Sequence, residues 1–569
     1  MARKLTVADF FSGAGGFSEG FRQAGFEVVF ALDNWAPARN THKLNHPSCK
    51  HPGLDCWLNT QGDILSLDLE SINIVVPDVD VIIGSPPCVS FSTSNKAGKA
   101  DKGLGIKLIE KYLQIIAIKK HRPNSKLKYW LLENVPNSRK HIKNKYSFRM
   151  LGLNKKQLQK LNIQKSPDDI ALQFDISENK IFNSVNYNVP QKRERFITGE
   201  FPEPETKVTT DKSLITLRKV LSNLNCNSKT IIDPVYKFKI QSNQLTDHFY
   251  DTEIPQFEWE DSMIKKQQAR YYGKMSFPED LSKPSRTIMA TRSVLSRESM
   301  IFPNGKPGVY RAPTIREVAS LMSFPITYQF QGSTEAVKYR LVGNAVCPNM
   351  AFNFAKEIMR REKIVSKRKF KKINLKELEV NLKNNPPPKK KPRDKHQFSN
   401  YAEIIPDFKC LNFRVELDNS FPKLTKKIIW RASLHHATGR DNMKSTYPSL
   451  TEVKRLLGDS NMKSIMGLLN MKLNNLKKKI PKSAFVFQQR HIRVGKNNNL
   501  LSPRELLFCI RDILNQVLPA DKFHNRFVDN SGRNHLKFNR GAPPENKIPV
   551  KLVAGLYSLL YVLEVIKNK

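Results

Sequence analysis

The stretch from Val7 to Ala24 narrows most what this chain can fold into. An apolar strand, Val7 to Phe11, runs into Gly13, Gly15 and Gly16, and a helical pattern follows from Ser18. The glycines let a nucleotide-like ligand approach the backbone, and the helix N-terminus contributes donors. A second strand, Glu27 to Leu32, ends at Asp33, where a carboxylate can bind ribose hydroxyls. A further strand-turn element carries Gly62, Asp63 and Ile64. Three successive turns with an acidic residue near a strand end predict a cofactor site.

Downstream, the apolar run Val79 to Ile83 stops at Gly84-Ser85-Pro86-Pro87-Cys88. The two prolines fix the backbone and remove two donors, so Cys88 sits on a stiff turn at a strand's carboxyl end. In open α/β sheets, reactive groups collect at that end. Another strand, Lys128 to Leu132, ends in Glu133-Asn134-Val135, and a carboxylate there is costly without a partner or a task. Residues 188–195 lead into a strand from Phe196 to Gly199. Alternation puts Gln191, Arg193 and Arg195 on one face and Lys192 and Glu194 on the other.

Together these segments resemble the DNA (cytosine-5) methyltransferases. The matching runs are Asp9 to Phe17, Pro86-Pro87-Cys88, Glu133-Asn134-Val135, Gln191 to Arg195, Arg316 to Ala319 and Gly343-Asn344-Ala345-Val346. Their order and spacing are those of the family, over about residues 3–362. Val89 departs from it, because glutamine most often follows the Pro-Cys pair there.

The resemblance implies a fold and a chemistry. The fold is α/β, a Rossmann-like S-adenosyl-methionine-dependent methyltransferase domain over 1–201 and 313–361. A target recognition domain is inserted at 202–312. Cys88 would add to carbon 6 of cytosine, making carbon 5 nucleophilic toward a sulfonium methyl. Glu133 would protonate or hydrogen-bond ring N3, and Arg195, with Arg193 on its face, would hold the O2 side. For the cofactor, Phe11 would stack on the adenine, Asp33 bind the ribose and Asp63 the adenine amino group. Gly13, Gly15, Gly16, Ile64 and Pro87 would line the pocket, and Asn344 close it. The target base must leave the stack. Ser92 to Lys107 is expected to be a mobile loop that closes over DNA, with Ser92, Lys96 and Lys99 touching it. Gln191, Arg286 and Thr287 are further expected DNA contacts.

Net charge is +43 and the pI is near 9.9, which points to a polyanionic partner, here double-stranded DNA. A codon bias toward Lys, Asn and Ile supplies part of that excess. Seven cysteines show no paired framework, so a reducing cytosol is expected. His42, His46, Cys49, His51 and Cys56 cluster, but their spacing fits no standard finger, and no metal is assigned. No signal peptide is visible at the N-terminus, and the apolar run Leu552 to Leu563 is too short to span a bilayer. A cytoplasmic, nucleoid-associated prokaryotic monomer is expected, paired functionally with a restriction endonuclease.

Residues 362–398, centred on Pro386 to Lys391, carry a basic, proline-rich linker signature. Residues 399–569 lie outside the resemblance and are expected to be mainly helical, of unknown role. Ser502 to Glu505 is a capping box opening a helix to about Leu518. Helical spacing over Thr451 to Gly458 and Met462 to Ile480 is compatible with a helix-turn-helix, though plain packing explains it as well. His435-His436 and His524 to His535 lack the paired carboxylates and lysine that a fused nuclease needs. The alternatives to DNA methylation are a tRNA cytosine-5 methyltransferase, a methylase fused to a nuclease or other DNA-binding module, and a non-catalytic DNA-binding protein.

Overall fold

In the computed structural model the chain forms two compact units, one over residues 1–254 and 258–390, the other over 255–257 and 391–569. The described residues run from 4 to 566, less 53, 55–61, 89–90, 92–100, 206–213, 226–227, 249–252, 255, 268–274, 292–295, 372–373, 385–400, 411, 421–427, 438–442, 459–461, 493–499, 520–522, 524, 532–534 and 540–546. No helix among them is long and apolar enough to cross a membrane.

The first unit is organised by a six-stranded sheet: β1 (Thr6–Phe10), β2 (Glu27–Leu32), β3 (Val81–Gly84), β4 (Tyr129–Asn134), β5 (Ile181–Asn183) and β6 (Glu194–Glu200). Their spatial order is β2-β1-β3-β4-β6-β5. The first four run parallel, whereas β6 is antiparallel to both β4 and β5. Period-two alternation sorts the side chains into two cores. Val7, Val81, Ile83, Leu131 and Ile197 face one side, with α1 (Gly16–Ala24) and α4 (Pro348–Arg361). Ala8, Phe10, Ile82, Trp130, Leu132 and Phe196 face the other, with α3 (Lys102–His121); α2 (Ala36–Asn45) follows β2.

The close approach of α3 requires a glycine at the end of β3. A Cβ at Gly84 would lie 2.5 Å from the Tyr112 ring, whose hydroxyl donates to the Leu131 carbonyl at 2.7 Å. Asp101 caps α3, its carboxylate accepting from the Gly103 amide at 2.7 Å. The sequence reading therefore ran the loop too far: from Lys102 onward it is helix, because this cap overrides the glycines at 103 and 105. Ser92, Lys96 and Lys99 fall outside the described residues.

Among its described residues, the inserted region, 202–312, contains two helices, Leu217–Asn223 and Gln256–Gln267, and two small antiparallel pairs, Thr230–Ile232 with Lys239–Gln241 and Phe302–Pro303 with Tyr310–Arg311. The linker begins later than its composition suggested. The Lys369 amide donates to the Gln23 carbonyl at 3.1 Å, and Asn381, in a helix from Leu375 to Asn384, donates to Gln329 at 2.7 Å. Those contacts hold residues up to Asn384 on the catalytic unit.

The second unit adds to its helices a sheet that the mainly helical expectation did not include. Four antiparallel strands, β7 (Ala402–Cys410), β8 (Phe413–Ser420), β9 (Ile429–Ala437) and β10 (Met443–Thr446), form a sheet in sequential order. Phe413, Val415 and Leu417 alternate with Arg414, Glu416 and Asp418, and Trp430, Ala432 and Leu434 with Arg431, Ser433 and His435. The apolar sets join one core with five helices among the described residues: Leu450–Leu456, Lys463–Lys477, Ala484–Ile492, Pro503–Val517 and Val550–Leu563. Apolar alternation along the strands is what a sheet packed on helices shows, and the mainly helical expectation left the sheet out. Leu469, Leu473 and Leu476 lie in that core, as plain helix packing predicts. The capping box at Ser502 forms as expected, with the hydroxyl accepting from the Glu505 amide at 3.3 Å.

Candidate active site

The carboxyl ends of β1, β2, β3 and β4 gather the residues singled out by their motifs. The Pro86-Pro87-Cys88 turn follows β3 directly. Its start is pinned to the first strand, with the Ser85 amide donating to the Phe10 carbonyl at 3.1 Å and the Ser85 hydroxyl to the Phe11 carbonyl at 3.3 Å. From β4, the Asn134 amide donates to the Pro86 carbonyl at 3.0 Å. The Phe91 amide closes the turn by donating to the Cys88 carbonyl at 3.0 Å. Cys88 is left half-buried at the rim, a small nucleophile on a braced turn. Asn134 was passed over as a site residue, although it lies inside the quoted Glu133-Asn134-Val135 run.

Glu133 pairs across the sheet with Ile197, so Arg195, two residues away on the same face of β6, reaches it diagonally. The Arg195 Nε lies 2.9 Å from Glu133 Oε1, and both side chains are nearly enclosed. Burial pushes the Glu133 carboxyl up, while Arg195 and then Arg193 pull it back. Its environment thus favours the protonated form more than water does, even beside a cation. The predicted alternation holds: Gln191, Arg193 and Arg195 are buried, Lys192 and Glu194 exposed.

Two of those buried residues do other work than expected. Arg193 donates to the carbonyls of Ile288 (3.0 Å), Gly343 (3.0 Å) and Ala345 (3.4 Å). Its guanidinium is spent on tying the 285–291 segment to the Gly343-Asn344 turn, so it is a brace rather than a catalytic group. Burial lowers it to about 10. Gln191 is fully buried, with its amide on Met322 Sδ at 3.1 Å and its carbonyl accepting from the Ile288 amide at 3.4 Å. It cannot reach DNA from there. Arg286 is engaged by Glu279 and the Ser299 carbonyl, which removes it as a free phosphate contact. Thr287 is the exception: it lies at the surface, its hydroxyl donating to the Lys192 carbonyl at 2.9 Å. Cys347 sits in the core beneath these residues, and burial pushes its thiol up to about 11, so it is no rival to Cys88.

Beside the Cys88 turn lies the glycine loop. Phe11 adopts φ 56°, which costs a bulky side chain about 1–3 kcal/mol and marks a site the surroundings hold in place. The Ser12 amide donates to the Leu32 carbonyl at 3.1 Å. Asp33 uses both carboxylate oxygens on the loop, accepting from the Gly13 and Trp35 amides at 2.8 Å each. A Cβ at Gly16 would lie 2.0 Å from the Val346 carbonyl, so glycine there lets the start of α1 touch the Gly343–Val346 segment. Gly62 packs against the Asp33 carbonyl, where a Cβ would come within 2.1 Å. That contact brings the second and third turns together. Asp63 then caps a short 3-10 turn, Ile64–Ser66, accepting from the Leu65 amide at 3.0 Å; Ile64 is buried. Pro87 and Asn344 are exposed at the rim.

The arrangement combines a nucleophile, a raised carboxyl with a cation, and a glycine cradle flanked by two acidic turns. The C-5 cytosine-specific DNA methylase family profile matches residues 5–360. The type II methyltransferase M.MthTI of Methanothermobacter thermautotrophicus is 28% identical over 374 residues, covering 62% of this chain and 97% of that protein. M.FnuDI of Fusobacterium nucleatum is 26% identical over 391 residues, covering 65% and 97%. Among solved structures, the S. pombe Dnmt2 methyltransferase aligns at 17% identity with a TM-score of 0.38, over 63% of this chain and all of that one. With the family profile spanning most of the chain and the motif residues gathered at one sheet edge, the protein belongs to the C-5 cytosine-specific DNA methylases and is a DNA (cytosine-5) methyltransferase that uses S-adenosyl-methionine.

Proposed function

We propose that the protein methylates cytosine within a specific duplex DNA sequence, as the modification half of a type II restriction-modification system. The observation that carries this reading is the meeting of Cys88, Glu133 and Arg195 at the strand edge beside the glycine loop. S-adenosyl-methionine supplies an electrophilic sulfonium methyl. Phe11, Asp33, Asp63 and Asn344, with the Gly13–Gly16 loop, Ile64 and Pro87, are the residues to hold it.

The Cys88 thiolate adds to carbon 6 of a flipped cytosine, forming an S–C bond as electron density moves to carbon 5. Glu133, protonated, donates to N3 and removes the charge that would oppose the addition. Arg195 orients Glu133 and offers a guanidinium to the O2 side. As carbon 5 takes the methyl, the sulfonium S–CH3 bond breaks and leaves a thioether. Water then accepts the carbon 5 proton, and the Cys88–carbon 6 bond breaks with its electron pair returning to sulfur, restoring aromaticity. Region 202–312, loop-rich with small hairpins, is suited to read bases, with Thr287 at its exposed edge. The type II names of the relatives support a restriction partner.

The test is transfer of tritiated methyl from S-adenosyl-methionine to duplex DNA, single-stranded DNA and tRNA. We expect 5-methylcytosine in duplex DNA alone, and at least about 10³-fold less in Cys88→Ser with cofactor binding kept. Label confined to tRNA would overturn the reading.

A further inference from the structure

We propose that His42, Cys49 and His51 form a zinc site beneath the cofactor loop. Nothing in the methylation chemistry uses these residues, and no family motif contains them. They come from the end of α2 and the segment after it, and all three are buried, at 0%, 1% and 1% exposure. Their ligand atoms lie within 4.8 Å of one another. Cys56 lies outside the described residues.

The hydrogen bonds around His42 set the tautomer that a metal needs. The Ser18 hydroxyl donates to Asp9 at 2.7 Å, so its oxygen accepts from His42 Nε2–H at 3.0 Å. With the proton on Nε2, His42 Nδ1 presents a lone pair, and it faces His51 Nε2 at 2.8 Å. An imidazole whose second nitrogen is committed to a hydroxyl–carboxylate chain is the usual outer arrangement of a metal-bound histidine. The Cys49 thiol at the same point supplies the soft ligand that zinc takes with imidazole nitrogens. In the metal-free arrangement the Cys49 thiol donates to the Lys50 carbonyl at 3.6 Å.

Zinc binding opens the 2.8 Å nitrogen pair to about 3.4 Å and draws the sulfur in by about 1 Å, as tetrahedral bonds of about 2.0 and 2.3 Å require. A Zn–S bond forms as Cys49 S–H breaks, releasing one proton to solvent, while His51 carries its proton on Nδ1. Solvent takes the fourth position. His46, its ring 4.6 Å from that of His42, packs against the cluster and faces Glu19. The site would lie directly under the cofactor turn: a Cβ at Gly15 would come within 2.9 Å of His42 Cδ2. Occupancy would thus fix the floor on which the cofactor loop rests.

The experiment measures zinc in the full-length protein purified without an affinity tag, and X-ray absorption at the zinc edge. We expect about one zinc per chain, with one sulfur at about 2.3 Å and nitrogens at about 2.0 Å. Cobalt exchanged into the folded protein should show a thiolate charge-transfer band that Cys49→Ser abolishes. Ser18→Ala should weaken zinc binding by about 10–100-fold while leaving His42, Cys49 and His51 in place. The proposal is overturned if the folded chain neither carries nor takes up zinc. It is overturned equally if the edge shows no sulfur, or if both Cys49→Ser and His51→Gln retain the metal undiminished. None of these readouts depends on the DNA reading above.

Discussion

Each unit of the molecule holds a carboxylate–arginine pair across antiparallel strands, and the two pairs are built differently. Asp418 and Arg431 stand directly opposite in the β8–β9 register, 2.5 Å apart, with Arg431 39% exposed and stacked 4.4 Å over Tyr447. Its guanidinium is open to water, while the Asp418 carboxylate, at 8% exposure, is as enclosed as that of Glu133. Glu133 and Arg195 are offset by two positions, nearly enclosed, and backed by Arg193, itself anchored on backbone carbonyls. Enclosing charge in this way costs more than an apolar replacement would. The surroundings must therefore hold the catalytic pair in place, whereas the C-terminal pair follows from register alone. Charge gathered from separate segments and fixed by carbonyl contacts is the mark of a site; charge opposed by register is the mark of a sheet.

Four substitutions sharpen that contrast. The largest effect is expected at Glu133: Glu133→Gln should lower kcat/KM by about 10²–10⁴-fold. Because the raised carboxyl must be protonated to donate to N3, wild-type turnover should fall as pH rises through its folded value. A pH–rate profile of the two proteins would show that alkaline limb disappear in the variant. An unchanged limb would remove Glu133 from the role of acid.

Arg193 should behave as architecture. Arg193→Ala leaves the Ile288 and Gly343 carbonyls buried without their donor, a loss of about 3 kcal/mol in unfolding free energy. Arg195→Ala should instead cost activity with a smaller drop in Tm. Thermal unfolding of both, read beside methyl transfer, separates brace from chemistry. If the two variants lose stability and activity in the same proportion, the distinction fails.

The smallest effect is expected in the second unit. Arg431→Ala should lower unfolding free energy by about 1–3 kcal/mol, because it leaves the enclosed Asp418 carboxylate without its donor, and leave methyl transfer by the full chain unaltered. Denaturant titration with an activity assay on the same preparation checks it. A large loss of DNA binding would instead make the β8–β9 polar face functional.

Much of the catalytic unit was legible because its signals are local. Strand periodicity, the glycine turn, the Pro-Pro-Cys stop and the Gln191–Arg195 alternation each need only a few consecutive residues. Motif membership could not tell which members of an alternating face point into the pocket. Gln191, Arg193 and Arg195 share a face, yet only Arg195 reaches Glu133, because the 285–291 segment and the Gly343 turn cover the other two. In the second unit, the alternation of Phe413, Val415 and Leu417 with Arg414, Glu416 and Asp418 stood in the sequence. The helical patterns that follow it drew attention away, and short strands need partners before they can be recognised.

Sequence alone thus determined the α/β class and the placing of Cys88, of the Glu133 and Arg195 pair and of the Gly13–Gly16 loop at strand ends. Each depends on residue type at close spacing, where backbone geometry leaves few choices. Tertiary structure alone decided the commitment of Arg193 to carbonyls, the burial of Gln191, the contact between Gly62 and Asp33, and the meeting of His42, Cys49 and His51 under the loop. Those facts depend on which distant segments occupy the same few ångströms, and packing, unlike periodicity, is written in no local stretch of chain.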